Sequence, residues 1–395
     1  MSAQTPPHPT AGSVELELTD IAHGGKAVAR QDGRVAFLPF GIPGEAVEAQ
    51  IYRARKRYAE GEISRVVVPS PDRVEPECPY FGTCGGCQLQ HIRYPRQLEI
   101  KRKIVVDLLE RVGGFRDIPV LPMLPSPQEY GYRNSARFLT GQAGDLGYTD
   151  WRDNVFLPVD TCPIMAPPIS ETLRAIQGHG IPGEPVRVRY SEATGETLVW
   201  PALETSVPTG QQAIQYELLG HRFQVSATSF FQVNTPQAEA LVQLALERLR
   251  PLDGKTVLDA YCGAGTFTRS LALEAESAIG IEESPSALAD ARVNLAGLGV
   301  RLIEGRTEIE LQSITTEVNL VLLDPPRAGC EPAAIDALLA LAPEKIVYVS
   351  CDPATLARDL KLLCSAGAYE LLDVQPVDMF PQTSHIEAVA TLHAL

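Results

Sequence analysis

From Gln224 onward, strand-like and helix-like stretches alternate with a regularity that few architectures accommodate. Thr235 caps and Pro236 opens a helix reaching to about Arg250. Strands are predicted at 256–261, 278–282, 319–324, 346–350, 370–377 and 387–392, and helical stretches follow the first four. Short apolar strands separated by helices cannot pair as hairpins, so the alternation implies a mostly parallel sheet with helices on both faces. Open sheets of this kind bind ligands outside the carboxyl ends of their strands. The residues at those ends therefore carry the functional argument.

The chain of 395 residues is too long for one ordinary domain. Residues 14–68 read as short alternating strands ("VELELTDI", "GKAVAR", "RVAFLPF", "EAVEAQIYRARK", "EGEISRVVV") between Gly, Asp and Pro turns, which describes a small antiparallel barrel. The expected organisation is a disordered tail at 1–12, a barrel at 13–70, a central α+β domain at 71–225 and an α/β domain at 226–395. The central stretch shows a basic helix near 95–112 but no clean period. No apolar run reaches the roughly 18 residues of a membrane span and no signal peptide is visible, so a cytoplasmic protein is expected.

A net charge of -15 argues superficially against a polyanionic partner. Its distribution weakens that argument: residues 1–150 hold 18 basic and 18 acidic side chains, leaving 16 and 31 to the remainder. Within the first part, "YRARKRY" (52–58) and "RYPRQLEIKRK" (93–103) concentrate positive charge among tyrosines.

"VLDAYCGAGTFT" (257–268) is a strand, a glycine turn and a helix start. Gly263 and Gly265 allow close backbone approach to a ligand, and Glu282 ends the next strand, placed to accept from ribose hydroxyls. Thr268 stands where a dinucleotide fingerprint has its third glycine, and no phosphate-binding lysine is present, which favours S-adenosylmethionine over a dinucleotide or ATP. "LVLLDPPRAG" (320–329) aims Asp324 and Arg327 over the same edge. "VYVSCDPATLARD" (347–359) puts Cys351 where a strand ends and a helix begins. A buried packing cysteine fits there, but so does a nucleophile whose pKa is lowered by the helix N-terminus. His385 and Glu387 open the last strand on one face, and the carboxylate could act as a general base.

"CPYFGTCGGCQLQH" (78–91) spaces Cys78, Cys84 and Cys87 like metal ligands, and "DTCPIM" offers Cys162 as a fourth. Disulfides are not expected in a cytoplasmic chain, which leaves zinc and an iron-sulfur cluster both open. Cys262, Cys330 and Cys364 have no such spacing and read as packing residues.

Together these stretches, with "SFFQVN" (229–234) and "TSHIE" (383–387), resemble the RNA uridine-5-methyltransferase family that makes 5-methyluridine in 23S ribosomal RNA and transfer RNA. The resemblance spans nearly the whole chain. It implies a TRAM-like (OB-like) barrel before a Rossmann-like class I methyltransferase domain. It also implies a [4Fe-4S] cluster on Cys78, Cys84, Cys87 and Cys162. S-adenosylmethionine contacts fall on Gln232, Tyr261, Glu282 and Asp324, beside the glycine-turn residues Gly263, Gly265 and Thr266. Cys351 is implied as the nucleophile and Glu387 as the base. Reaching the base requires an unstacked uridine, so Phe230 or Phe231 is expected to stack on displaced bases, with Arg327 and His385 also toward the RNA. Thr266 lies where many members have asparagine, and "RLIEGRTE" (301–308) shows no counterpart of a further asparagine contact. The barrel favours ribosomal over transfer RNA, and a monomer is expected.

Two other readings compete. An amine methyltransferase would carry an aromatic residue after Asp-Pro-Pro, where this chain has Arg327, and would need no cysteine. A metal-stabilised RNA-binding protein with an inactive methyltransferase domain would not need Cys351 and Glu387 intact.

Overall fold

The computed structural model describes residues 13–365 and 367–395. The expected disordered tail lies outside them. The chain divides into two compact units: Met1–Ile104 with Thr149–Asn154 and Gln382–Ser384, and Val105–Tyr148 with Val155–Pro381 and His385–Leu395.

In the first unit, β1 (Val14–Ile21), β2 (Ala27–Gln31), β3 (Arg34–Leu38), β4 (Ala46–Ala54) and β5 (Tyr58–Val68) close into a barrel in the order β1-β2-β3-β5-β4. Alternation fixes the inward set: Leu16, Leu18, Ala27, Ala29, Ala36, Leu38, Val47, Ala49 and Ala59 form its core. The many alanines suit so narrow a bore. One pairing departs from the antiparallel expectation. The 39–45 connection carries β4 across to β1, so β5 returns beside β3 and runs parallel to it. Glu45, with no exposed surface, fastens that connection by accepting from Ile42 N at 2.9 Å and Arg73 Nε at 2.6 Å.

Helix α1 (Tyr94–Leu108) follows. Five strands, β6 (Ser135–Thr140), β7 (Leu146–Thr149), β8 (Phe156–Pro158), β9 (Val186–Tyr190) and β10 (Thr197–Trp200), form a sheet ordered β10-β9-β6-β7-β8, with α2 (Pro167–Ala175) between β8 and β9. The hairpin β11 (Ala213–Leu218) and β12 (His221–Ser226) leads to α3 (Thr235–Leu249). The cap of α3 is Asn234 rather than Thr235. Its side chain accepts from Gln237 N while its amide donates to Ser126 Oγ and Met379 O, both at 3.2 Å.

The remainder is β13 (Thr256–Asp259), α4 (Thr266–Glu274), β14 (Ser277–Glu282), α5 (Pro285–Asn294), β15 (Arg301–Glu304), α6 (Thr307–Glu310), β16 (Leu320–Leu323), α7 (Pro332–Leu341), β17 (Lys345–Ser350), α8 (Pro353–Ser365), β18 (Tyr369–Val377) and β19 (Glu387–Ala394). They build one sheet in the order β15-β14-β13-β16-β17-β19-β18, parallel from β15 to β17, with β19 antiparallel to both β17 and β18. All four residues of β16 are buried, as befits a central strand covered on both faces. Edge strand β15 has no fully buried residue and begins and ends on a charged one, which is why no strand was expected there. Leu241, Leu249, Phe267 and Leu271 of α3 and α4 pack with Val257, Leu320, Val347 and Val389 of the sheet. No helix among the described residues is long and apolar enough to cross a membrane.

Candidate active site

The order reverses at β13: the chain passes outward to β14 and β15, then returns to place β16 on the other side. The crevice at such a reversal is where open sheets bind ligands. A cavity of about 760 Å³ opens there, at the carboxyl ends of β13, β14, β16 and β17.

One half of this cavity is made of backbone turns. After β13 the chain passes Tyr261 and Gly263, both on the lining, to Gly265, which caps α4 at φ +88°. A side chain at 265 would also press on Leu295, 3.0 Å from an added Cβ, so Gly265 shapes the turn rather than lining it. Thr266 and Glu282 do line it. Glu282 Oε2 accepts from Gly263 N at 2.9 Å and Oε1 from Ser284 N at 2.7 Å, which orients the carboxylate. Thr268 donates to Asp259 Oδ2 at 2.6 Å, so the residue replacing a third glycine anchors the buried strand-end carboxylate. Burial raises the pKa of Asp259 to about 6.

The other half is made of ionisable side chains. Asp324, Arg327, Cys351 and Glu387 all face the cavity. Asp352 caps α8 by accepting from Ala354 N at 2.9 Å and Thr355 N at 3.0 Å, which leaves Cys351 at the strand-to-helix corner as expected. The expected lowering of its pKa is corrected by its surroundings. Burial, then the Glu387 and Asp324 carboxyls, push the thiol up to about 11 against the opposing pull of Arg327. Asp324 is itself raised to about 7 by burial and by Asp259. Glu387, 3% exposed, is raised well above its ordinary value by burial and Asp324, with Arg327 opposing. Arg327 lies 3.2 Å from His385 Nδ1, and that ring meets Phe380 edge-on at 5.6 Å. His385 stands beside Arg327 without lining the cavity itself.

Of the two aromatics in "SFFQVN", Phe230 is 69% exposed at the cavity, whereas Phe231 is 5% exposed and stacked on Tyr216 at 4.7 Å. The expectation that either ring could meet RNA therefore narrows to Phe230; Phe231 belongs to the core. Gln232 lines the cavity. Sequence reading missed Arg133, Phe380, Thr307 and Glu308 on the lining. "RLIEGRTE" contained the last two, but only the return from β15 reveals that they turn inward.

In the first unit, Gly85 and Gly86 turn the chain between Cys84 and Cys87. Gly85 N donates to Thr149 O at 3.0 Å, and Gly86 N donates to Cys84 Sγ at 3.4 Å. Burial raises the thiol pKa of Cys78 and Cys84. Cys162 belongs to the second unit. The described residues bring together no group of three or more His, Cys, Asp or Glu that could hold a metal ion. The run 52–58 is exposed along its whole length, while the run 93–103 is largely spent: Arg96 pairs with Glu99 at 2.6 Å, Lys103 with Asp20 at 2.7 Å, and Lys101 is 1% exposed.

Seven strands in this order, the last inserted antiparallel, with a glycine turn and an acidic strand end over the reversal, define a class I methyltransferase. Residues 13–64 match the TRAM domain and 298–394 the tRNA (uracil-5-)-methyltransferase family. An uncharacterised RNA methyltransferase of Gloeobacter violaceus is 36% identical over 96% of each chain, and one of Halalkalibacterium halodurans is 35% identical over 99% of each. The crystal structure of Pyrococcus abyssi tRNA (uracil-54, C5)-methyltransferase with S-adenosyl-L-homocysteine superposes with a TM-score of 0.73 at 25% identity, over 95% of this chain and 100% of that one. The chain belongs to the RNA (uracil-5-)-methyltransferase family, S-adenosylmethionine-dependent enzymes.

Proposed function

We propose that the protein methylates carbon 5 of a specific uridine in RNA through a covalent adduct on Cys351. The observation that carries this reading is the opening of Cys351 and Glu387 into one cavity with Glu282 and the glycine turn. Carbon 5 of uracil is a poor nucleophile. Addition of the Cys351 thiolate to carbon 6 makes an enolate whose carbon 5 can be alkylated. S-adenosylmethionine supplies an electrophilic methyl group, with Glu282 placed for its ribose and Tyr261, Gln232 and Asp324 around it. Glu387 takes the carbon 5 proton, after which sulfur leaves carbon 6 and the ring is restored. A pairing partner must be given up to reach the base, and Phe230 offers a stacking surface to the displaced nucleotide.

The barrel and the exposed 52–58 run supply the RNA grip, and we favour 23S ribosomal RNA in the cytoplasm. Transfer RNA is the second reading, supported by the Pyrococcus abyssi enzyme: that likeness covers 95% of this chain, so a barrel does not by itself separate the two substrates. No step of this reaction runs through the cluster the resemblance implies. Iron and sulfide analysis of anaerobically purified protein tests for it, and a protein active without either would remove it from the reading.

Cofactor-dependent tritium release from uridine labelled at carbon 5 tests the function, offered in 23S fragments and in transfer RNA with Cys351→Ala beside the wild type. Release from one RNA, lost in the variant, is expected. Release by the variant would refute the covalent route.

A further inference from the structure

Resting on the uridine-methylation reading, we infer that Arg358 and Asp359 on α8 are positioning residues that clamp the 325–330 loop, and with it Arg327, against the helix that follows Cys351. Strand β16 holds Asp324 at its end, but the loop beyond belongs to no strand or helix. Pro326, Arg327 and Ala328 are exposed. Something must fix their path, since Arg327 has to stay beside His385 and opposite Glu387 and Cys351.

Three side chains from consecutive turns of α8 do so. Asp359 has no exposed surface and spends Oδ2 on Cys330 N at 2.8 Å and on the Tyr348 hydroxyl at 2.6 Å. Arg358 spans outward from it: Nε donates to Asp359 Oδ1 at 2.7 Å, and one terminal nitrogen donates to Ala328 O at 2.8 Å and Cys330 O at 3.3 Å. Thr355 Oγ1 donates to Arg327 O at 3.2 Å. Gly329 lets the loop lie so close: at φ +76° it takes the left-handed form, and an added Cβ would run into the Asp359 carboxylate. Every bond that reaches the loop goes to its backbone. The clamp therefore sets where Arg327 is, whatever side chains flank it.

Cys351 immediately precedes Asp352, the cap of the helix that carries the clamp, so nucleophile and loop are tied to one rigid element. The cofactor side is not, because Asp324 is held by β16. Loss of the clamp should thus separate turnover from cofactor affinity, which general loosening of the fold would not do.

The test measures tritium release, S-adenosylmethionine Kd and Tm for Arg358→Lys, Thr355→Ala, Arg327→Lys and the double variant Arg358→Lys/Arg327→Lys. Lysine keeps the positive charge but gathers its donors on one nitrogen, so it cannot hold Asp359 from one atom and the two carbonyls from another as the guanidinium does. Arg358→Lys should lower kcat roughly tenfold or more with Kd within about twofold, Thr355→Ala should do so less, and the double variant should be no slower than Arg327→Lys alone. Losses that multiply in the double variant, or a cofactor Kd that weakens in step with Tm, would overturn the inference. Arg358→Lys turning over at the wild-type rate would overturn it too, leaving the methylation reading intact. A wild type that releases no tritium from any RNA removes both.

Discussion

The two halves of the cavity are built on opposite principles. On the β13–β14 side, the shape comes from backbone: a left-handed Gly265, a Gly263 N–H on Glu282, and Thr268 tying down Asp259. On the β16–β17–β19 side, burial raises Asp324, Cys351 and Glu387, Asp324 adds to the rise of the other two and Glu387 to that of Cys351, while Arg327 opposes it at Cys351 and Glu387. A surface that recognises a cofactor gains from rigid, already satisfied groups. One that makes and breaks bonds needs groups held away from their resting protonation, and such groups cost stability.

That contrast is broken most severely at the sulfur. Cys351→Ala should lose tritium release to background while cofactor Kd stays within about twofold, because nothing on the backbone half depends on the thiol. If cofactor affinity collapsed as well, the halves would not be separable. Glu387→Gln should fall by roughly 10²–10⁴ in turnover. Cys351 can still add to carbon 6 in that variant, so a protein–RNA adduct should persist on a denaturing gel, absent from Cys351→Ala.

The shared charge sharpens the comparison through pH. A thiol at about 11 is almost wholly protonated at neutral pH, so single-turnover rates on subsaturating RNA should climb with pH, by up to about tenfold per unit between 7 and 9. Stability should run the other way. Asp324 near 7 holds its proton in the folded state across a window, from about 3.9 to 7, in which the unfolded chain has released it. More protons bound when folded means stability falls as pH rises through that window. Cofactor-free protein should therefore melt higher at pH 5.5 than at pH 8, and Asp324→Asn should lift Tm at pH 8 by a few degrees while weakening cofactor binding. Unchanged melting in that variant would show that Asp324 is not held protonated.

The same division governs what the residues reveal unaided. Strand and helix alternation from 256, the alternating apolar positions of the barrel and the turn at Gly263–Gly265 are local patterns, and each is legible because the period of the chain dictates which face is buried. Cys351 at the end of β17 is equally local. Its protonation is not: the thiol meets Glu387 and Asp324 from two other strands, so a helix N-terminus alone points the wrong way. Phe230 and Phe231 make the same point, since adjacent residues in one motif part company only when Tyr216 from the β11 hairpin arrives to stack on one of them. Edge strand β15 and the inward turn at Thr307 and Glu308 had no apolar period to announce them.

The smallest effect tests the backbone half directly. Gly265→Ala adds one methyl group to a residue at φ +88°, a conformation costing an ordinary residue about 1–2 kcal/mol, and presses that methyl on Leu295. No ionisable group of the cavity is touched. If the glycine turn serves recognition alone, Tm should drop by several degrees and cofactor Kd should weaken by about tenfold, while kcat at saturating cofactor stays within about threefold and its pH profile does not move. A shifted profile would mean that the turn also sets the electrostatics of Cys351 and Glu387, and the division between a backbone half and a charged half would fail at its most conservative substitution.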